Sequence, residues 1–331
     1  MKNIDKILKK DLPLEAIPEL LREFTFLDVK YDAAFKRLFS DVKLLQHFLN
    51  TVLHLQGRAK IRKLELRSSD IGLIQASEDV IRVDVRAQNG NREWFDVEMQ
   101  KFTHSSLKDR AVLYGAIVAA EAHREALLEY HGKMAKIGKR ARYRMPKVIC
   151  LWLLGQPIDA DYGYREEWAI YRKSKVVKNA SPLPESEVLN YIWIDLSKFD
   201  KEKRLSKLER DWLELLSNSQ SHKEVPAGAS SIIRLAYERI RIRRTPKEIL
   251  ERQENSMVTQ LEIDDRLDTA VRNAVMQTRK EVRKEVKNAV SQNTKEVTKN
   301  MAKQMLKEHV PLDVIARVSK LPMATILSLK A

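Results

Sequence analysis

The chain has 331 residues, which is enough for one well-buried domain with an additional segment. Its formal net charge of +15 favours a polyanionic partner, of which nucleic acid is the commonest, although a lysine-rich codon habit gives the same charge. The single cysteine, Cys150, excludes an internal disulfide and a cysteine-built zinc site, and it suits a reducing compartment.

The sequence offers no segment that reads as a membrane span or a secretory signal. Its N-terminal stretch, MKNIDKILKKDLPLEAIPELL, has acids and prolines where a signal peptide needs an apolar core. The most continuous apolar run, residues 148–154, is far too short to cross a bilayer. We therefore expect a cytoplasmic protein that does not associate with membranes.

Two amphipathic helices and a strand are predicted in the N-terminal part of the chain. Asp32 precedes the apolar stripe within residues 33–39 and is expected to be the N-cap of the first helix. Asp41 restarts the helical pattern in front of residues 44–53, which predicts a second helix. Residues 60–67 alternate between polar and apolar side chains, which is the period of a strand.

Residues 79–101 predict a β-hairpin with an acidic face. Apolar residues alternate with polar ones on both sides of Asn89-Gly90, which is a strong hairpin signal. Like charges on one sheet face repel each other, and a shared divalent cation removes that repulsion. The face in question carries three carboxylates and an amide, from Asp84, Asp96, Glu98 and Gln100.

The register of this hairpin depends on the length of its loop. A two-residue loop would put Asp84 on the opposite side of the sheet from Glu98, whereas a three-residue loop, residues 89–91, sets Asp84 opposite Asp96. Glu98 then lies on the diagonal, roughly 7–8 Å away at the backbone, and both acids can reach one ion. We predict the longer loop. The competing interpretation is a solvated face whose acids pair with Arg82 and Arg86.

A long helix is predicted after the hairpin, capped by Thr103 or Ser105 and ending near Gly132. Arg110 and Tyr114 lie one turn apart on it. A guanidinium at this position can hold a phosphate through two hydrogen bonds, and the phenol can orient the phosphate or a water. The alternative is that the arginine simply packs along its own helix.

The remaining elements of the first part indicate an α/β fold. Residues 146–154 are apolar on both faces and predict a central strand. Residues 168–171 and 189–194 predict further strands, and residues 205–216 predict a helix. Helices, a hairpin, a long helix and then more strands are typical of a mixed sheet flanked by helices.

The C-terminal part is predicted to be a separate, all-helical extension. The polar run from Ser217 to Pro226 indicates a domain edge, so that the predicted domains are residues 1–222 and 223–331. Residues 310–329 predict two short helices joined by a tight turn, a helix-turn-helix-like hairpin that either reads DNA or serves assembly.

An internal repeat lies within this extension, at residues 273–282 and 288–297. Its valines continue one narrow apolar stripe along a long charged helix. A single apolar stripe on a long exposed helix is typical of a coiled coil, so a homo-oligomer is predicted. The basic faces of the same helix either follow phosphates or are merely solvated.

Five blocks together resemble the PD-(D/E)XK nuclease family transposases, which are relatives of the recombination-promoting nucleases of bacterial mobile elements. The resemblance covers residues 25–220, and the tail from Met301 to Leu329 is also similar to these proteins. It implies a restriction-endonuclease-like mixed sheet flanked by helices. The blocks are residues 31–39, 44–50, 83–85 and 97–100, and Arg110 with Tyr114.

The resemblance also implies which residues form the catalytic centre. Asp84 matches the family's metal-binding aspartate, Glu98 matches the acid of its E-x-K/Q motif, and Gln100 stands where the wider superfamily has lysine. A glutamine orients water or a phosphate oxygen by hydrogen bonds, but it lacks the charge of a lysine. Lys101 points to the other face of a regular strand, so the charge is expected from Arg82 or Arg110. The possible supporting residues are Asp32, Asp96, Arg82, Arg110 and Tyr114.

The implied reaction is hydrolysis of a DNA phosphodiester with Mg²⁺ or Mn²⁺ held by Asp84 and Glu98, and with Gln100 positioning the attacking water. An alternative function is a catalytically inactive protein on the same fold that binds DNA or assembles. A third is a protein that binds RNA, since the sequence does not separate the two nucleic acids.

Overall fold

The computed structural model describes most of the chain, which divides into two compact units, Met1–Met257 and Val258–Ala331. The predicted domain edge at residue 222 stays a prediction. The described residues are 10–71, 81–131, 143–159, 161–173, 176, 184–202 and 204–329.

A six-stranded mixed sheet is the centre of the first unit. The strands described are β1 (Leu64–Arg67), β2 (Asp70–Ile71), β3 (Ile81–Arg82), β4 (Val85–Asn89), β5 (Trp94–Gln100), β6 (Val148–Leu154), β7 (Arg165–Ile170) and β8 (Ser186–Asp195). The large sheet has the order β1-β4-β5-β6-β8-β7, while β2 and β3 pair separately. β6 is parallel to both β5 and β8, and the other neighbours are antiparallel. The predicted central strand is therefore confirmed.

The α-helices described in the chain are α1 (Asp32–Phe39), α2 (Val42–Val52), α3 (Leu107–His131), α4 (Lys207–Asn218), α5 (Ser231–Arg239), α6 (Lys247–Lys307), α7 (Leu312–Ser319) and α8 (Met323–Ser328). Helices of the first unit cover both faces of the sheet. Alternate residues of a strand point to opposite faces. Accordingly Phe95 and Val97 pack in one core with α1, α2, α4 and α5, and Trp94 packs in a second core with α3. The predicted α/β fold class is confirmed.

The starts of the first two helices differ in how they are capped. Asp41 caps α2 as its side chain accepts hydrogen bonds from the backbone N–H groups of Lys43 and Leu44, at 2.9 and 3.3 Å. Asp32, predicted as the cap of α1, is instead its first helical residue, and the N-cap is Tyr31. The Asp32 carboxylate instead forms an ion pair with Lys36, one helical turn later.

The predicted first strand of the hairpin is interrupted. Val83 packs in the core beneath α3, whereas Val85 packs in the opposite core, although a regular strand would place both on one face. The chain therefore bends at Val83 and Asp84, between β3 and β4. Since Asp96 and Glu98 are 0% and 2% exposed, the acids of this hairpin do not form a solvated face.

The hairpin register also differs from the predicted one. The loop has three residues, but they are 90–92, and Asn89 N–H donates to Glu93 O across its base at 3.0 Å. Asn89 stays in the strand because its side-chain oxygen accepts from the N–H groups of Asn91 and Glu93, at 3.0 and 2.9 Å. As a result Arg86, and not Asp84, lies opposite Asp96.

The second unit consists of helices. The paired helices α7 and α8 confirm the predicted hairpin, and they share a small core formed by Ala302, Ile315 and Ile326. The repeat lies on α6, and the stripe valines between Val271 and Val297 are exposed. Within the described ranges, every helix is either too short or too polar to cross a lipid bilayer.

Candidate functional site at the end of strand β5

Two backbone-to-carboxylate hydrogen bonds hold Asp84 beside Glu98. The backbone N–H of Asp84 donates to Glu98 Oε1 at 2.9 Å, and the backbone N–H of Met99 donates to Asp84 Oδ2 at 2.9 Å. The ladder between β4 and β5 ends at Val85 and Val97, one position before these acids. The two carboxylates thus occupy places that backbone groups would take if the ladder continued, and this fixes both at the same point of the sheet.

Burial dominates the electrostatics of the acids here. It raises the pKa of Asp84 to about 6 and that of Asp96 to about 7, and it holds the pKa of Glu98 well above its usual range. The charge of Asp84 raises the pKa of both neighbouring acids further. Among the described residues, no N–H or O–H group donates to either carboxyl oxygen of Asp96, and the Glu98 carboxyl lies within hydrogen-bond reach of it. The cluster of acids is therefore stabilised by binding either a proton or a cation, because both reduce its negative charge.

Gln100 is engaged away from Asp84. Its amide Nε2 donates to Phe102 O at 2.7 Å, and its Oε1 accepts from Arg110 Nη1 at 3.4 Å. Arg110 lies over the ring of Tyr114 at 4.7 Å, and its charge lowers the pKa of the Glu98 carboxyl against the effect of burial. Helix α3 thus brings Arg110 to the Glu98 side of the cluster.

A model of the PD-(D/E)XK nuclease family transposases matches residues 29–270. The chain belongs to this family. No curated protein and no solved structure is similar enough to the chain to count as a match. The family match confirms the resemblance of the five sequence blocks, and it identifies the sheet with its flanking helices as a PD-(D/E)XK nuclease fold.

A divalent cation fits this PD-(D/E)XK chain through its carboxylate oxygens. The described residues contain no group of three or more His, Cys, Asp or Glu side chains arranged to hold a metal. Mg²⁺ is commonly held by only one or two carboxylates and completes its shell with waters and substrate phosphates. Asp84 and Glu98 offer two neighbouring carboxylates for this purpose, and Asp96 adds a third buried carboxyl beside Glu98. Hard oxygen donors of this kind suit Mg²⁺ and Mn²⁺.

Arg82 lies outside the site. Its Nε donates to Asp70 Oδ1 at 2.8 Å in the small β2–β3 sheet, and its side chain is 67% exposed. The bend at Val83 and Asp84 separates Arg82 from the face that carries Asp96. Arg110 is therefore brought close to Glu98, whereas Arg82 is paired with Asp70 and interacts through its charge with Asp32.

Lys36 is a charged neighbour of Asp84 that the sequence did not predict at the site. Its Nζ lies 2.5 Å from Asp32 Oδ1 and 3.6 Å from Asp84 Oδ1, so it joins α1 to the candidate site. Asp32 is thus connected to Asp84 through this ammonium group. One signal was available, because Asp32 and Lys36 are four residues apart in the first family block and face the same side of a helix.

Proposed function

We propose that this chain is a divalent-metal-dependent endonuclease that hydrolyses phosphodiester bonds of DNA in the cytoplasm, in the service of recombination or of a mobile element. The observation that carries the proposal is the pair of hydrogen bonds that holds Asp84 beside Glu98, from Asp84 N–H to Glu98 Oε1 and from Met99 N–H to Asp84 Oδ2, in a chain that belongs to a nuclease family. The net charge of +15 also supports a nucleic-acid substrate.

In this proposal Asp84 and Glu98 hold Mg²⁺ or Mn²⁺. The bound ion would polarise the scissile phosphate and lower the pKa of a water. Asp96 adds negative charge to the cluster from a fully buried position beside the Glu98 carboxyl. Arg110 lies near Glu98 and offers a guanidinium to a phosphate, with its plane fixed on Tyr114. Gln100 orients Arg110 through its Oε1, which replaces the water-positioning role that its place in the motif suggests.

The test is cleavage of supercoiled plasmid by the full chain, with Mg²⁺, with Mn²⁺ and with a chelator. We expect nicked or linear DNA with either metal and intact plasmid with the chelator. Asp84→Asn is the matched variant, because it keeps the shape of the side chain and removes its charge. Metal-independent cleavage, or equal cleavage by Asp84→Asn, would contradict the proposal.

The second candidate function is a protein on the same fold that binds DNA and has lost catalysis. Gln100 favours it, since the position lacks the ammonium of the wider superfamily and the amide is bonded to Phe102 and Arg110. Such a protein would retard DNA in a gel but leave the plasmid intact with every metal. Asp84→Asn would bind DNA as well as the wild type or better.

We also propose that the chain forms a homo-oligomer through α6. The valines of the repeat lie exposed along this helix, and burying an apolar stripe against an equivalent one is favourable. Light scattering after size exclusion should give a mass above that of one chain, and replacing Val275 and Val286 with lysine should restore the monomer mass. A wild type that is monomeric at high concentration would contradict this part.

A further inference from the structure

Residue 100 does not supply a cation that could stabilise the negative charge of the transition state. Hydrolysis of a phosphodiester places growing negative charge on the phosphate oxygens, and a fixed cation beside them lowers the barrier. Gln100 carries no charge, and its amide is already bonded at both ends. Arg82 is bonded to Asp70 outside the site. Arg110 offers its guanidinium on the Glu98 side, so a cation on the Asp84 side must come from another side chain.

Lys101 is the neighbour in sequence, but its ammonium group is held elsewhere. Its Nζ lies 3.0 Å from Asp28 Oδ2 and 3.6 Å from the centre of the Tyr31 ring. An ammonium that is paired with a buried carboxylate and lies against an aromatic face is held by both contacts. Lys101 therefore ties β5 to the segment before α1, a structural role.

Lys36 meets the geometric requirement. Its Nζ is 3.6 Å from Asp84 Oδ1, which is within ion-pair distance of the acid proposed to bind metal. Its side chain is 21% exposed, so it is partly shielded from water and still reachable. Asp32, one helical turn earlier, holds the ammonium at 2.5 Å and limits its freedom. Asp32 therefore holds the Lys36 ammonium group at the edge of the candidate site, next to Asp84.

A pocket opens where Lys36 and Asp84 meet. Its volume is about 260 Å³, and its lining includes Ser40, Arg67 and Ser68 together with these two residues. Within the described part of the chain Asp84 is the one acid in that lining, and the Lys36 ammonium lies beside it. The guanidinium groups of Arg67 and Arg86 lie instead over the Trp94 ring, on the other face of the sheet. A cavity with an ammonium group and hydroxyl donors next to a carboxylate suits a phosphodiester group.

We propose that the scissile phosphodiester of the substrate enters this pocket, and that Lys36 is the catalytic ammonium that replaces the lysine missing from position 100. This inference rests on the proposed nuclease function. Water supplies the hydroxyl that becomes bonded to phosphorus, one phosphorus–oxygen ester bond breaks, and the leaving alcohol oxygen takes the remaining proton of that water. Lys36 stays protonated throughout and balances the charge on the phosphate oxygens, while Asp32 is its positioning residue.

The test compares Lys36→Gln with Lys36→Arg, with the double variant Lys36→Gln/Gln100→Lys, and with the matched control Lys43→Gln. Lys43 is an exposed lysine on the neighbouring helix α2 and does not line the pocket. We expect plasmid cleavage to fall by about 10²-fold or more in Lys36→Gln. Lys36→Arg should keep part of the activity, the double variant should recover part of it, and Lys43→Gln should cleave like the wild type.

A second readout does not depend on cleavage. The affinity for a short DNA duplex is measured against salt concentration in the presence of a chelator. Losing one phosphate contact lowers the slope of log affinity against log salt by about 0.9. We expect that decrease for Lys36→Gln, and no decrease for Lys36→Arg or for Lys43→Gln. Circular dichroism of each variant checks that it is folded, and Lys36→Met takes the place of Lys36→Gln if the latter does not fold.

The outcomes separate the two proposals. If the wild type cleaves DNA and Lys36→Gln cleaves equally well, the role of Lys36 is wrong while the nuclease function stands. If the wild type does not cleave with any metal, the nuclease function fails, and an unchanged salt slope in the variant that lacks the Lys36 charge then overturns the phosphodiester pocket as well. A lower slope with lost cleavage supports the inference.

Discussion

Two buried acids of the first unit, Glu209 and Asp96, have opposite surroundings. Glu209 is 2% exposed and its carboxylate is fully engaged, since His54 Nε2 lies 2.9 and 3.0 Å from its two oxygens and the Tyr164 hydroxyl donates to it at 3.3 Å. Asp96 is 0% exposed, and across the described ranges no N–H or O–H group donates to its carboxyl oxygens, which lie beside the Glu98 carboxyl. A buried acid that only stabilises a fold normally accepts hydrogen bonds from such donors. Asp96 therefore indicates a binding function at β5, and Glu209 shows what a structural acid looks like in the same protein.

The largest expected effect follows from removing an acid that is proposed to bind the metal. Glu98→Gln should lower plasmid cleavage by about 10³-fold, because the charge that holds the cation is lost while the side-chain volume stays the same. Its thermal unfolding should be unchanged or occur at a higher temperature, since a buried charge is removed. Plasmid cleavage and a melting curve on the same sample give both values. Normal cleavage by Glu98→Gln would show that the buried acids at β5 matter no more for activity than Glu209 does.

Glu209→Gln should give the converse result. We expect a loss of about 1–3 kcal/mol in the free energy of unfolding, because His54 and Tyr164 lose a charged acceptor. Cleavage should be unchanged, as Glu209 lies outside the proposed site. Urea unfolding monitored by tryptophan fluorescence measures the first quantity. Equal stability of this variant and the wild type would show that the engaged carboxylate contributes nothing to the fold.

A smaller effect is expected in the dependence of stability on pH. Burial raises the pKa of Asp96 to about 7 in the folded protein, whereas the unfolded chain releases the same proton near the ordinary value of about 3.8. Stability without metal is then complete below the lower pKa and decreases as the pH rises through the higher one. Asp96→Asn should flatten this decrease and melt at a higher temperature than the wild type at pH 8.

The control for that experiment is Glu209→Gln, which should retain the wild-type decrease between pH 5 and pH 8. Melting curves in a chelator at both values are sufficient. A wild type that becomes more stable as the pH rises over this interval would mean that the acids of the cluster are compensated in the metal-free protein.

The sequence predicted the fold well because the patterns that carried the prediction are local. The alternation in β5 and the unbroken apolar run of β6 depend on neighbouring residues only, and the helical stripes of α1 and α2 do as well. The five family blocks were equally local, and the family match over residues 29–270 confirms them.

The candidate site was predicted less completely, because its details depend on contacts that no local pattern encodes. The register of the hairpin changed by two positions because the side chain of Asn89 organises the turn. Asp84 faces Met99 N–H only because the chain bends at Val83, and the neighbourhood of Lys36 depends on how α1 packs beside that bend. Glu98 and Asp84 were nevertheless brought together, although by a different register.

The central claim is that Asp84 and Glu98 jointly hold a divalent cation, and calorimetric titration of Mn²⁺ into the metal-free protein tests it most directly. The account predicts saturable binding by the wild type and by Glu209→Gln, and its loss in both Asp84→Asn and Glu98→Gln. Equal binding of Mn²⁺ by all four proteins would contradict this claim. It would also be contradicted if the wild type bound no Mn²⁺ either alone or together with a DNA duplex.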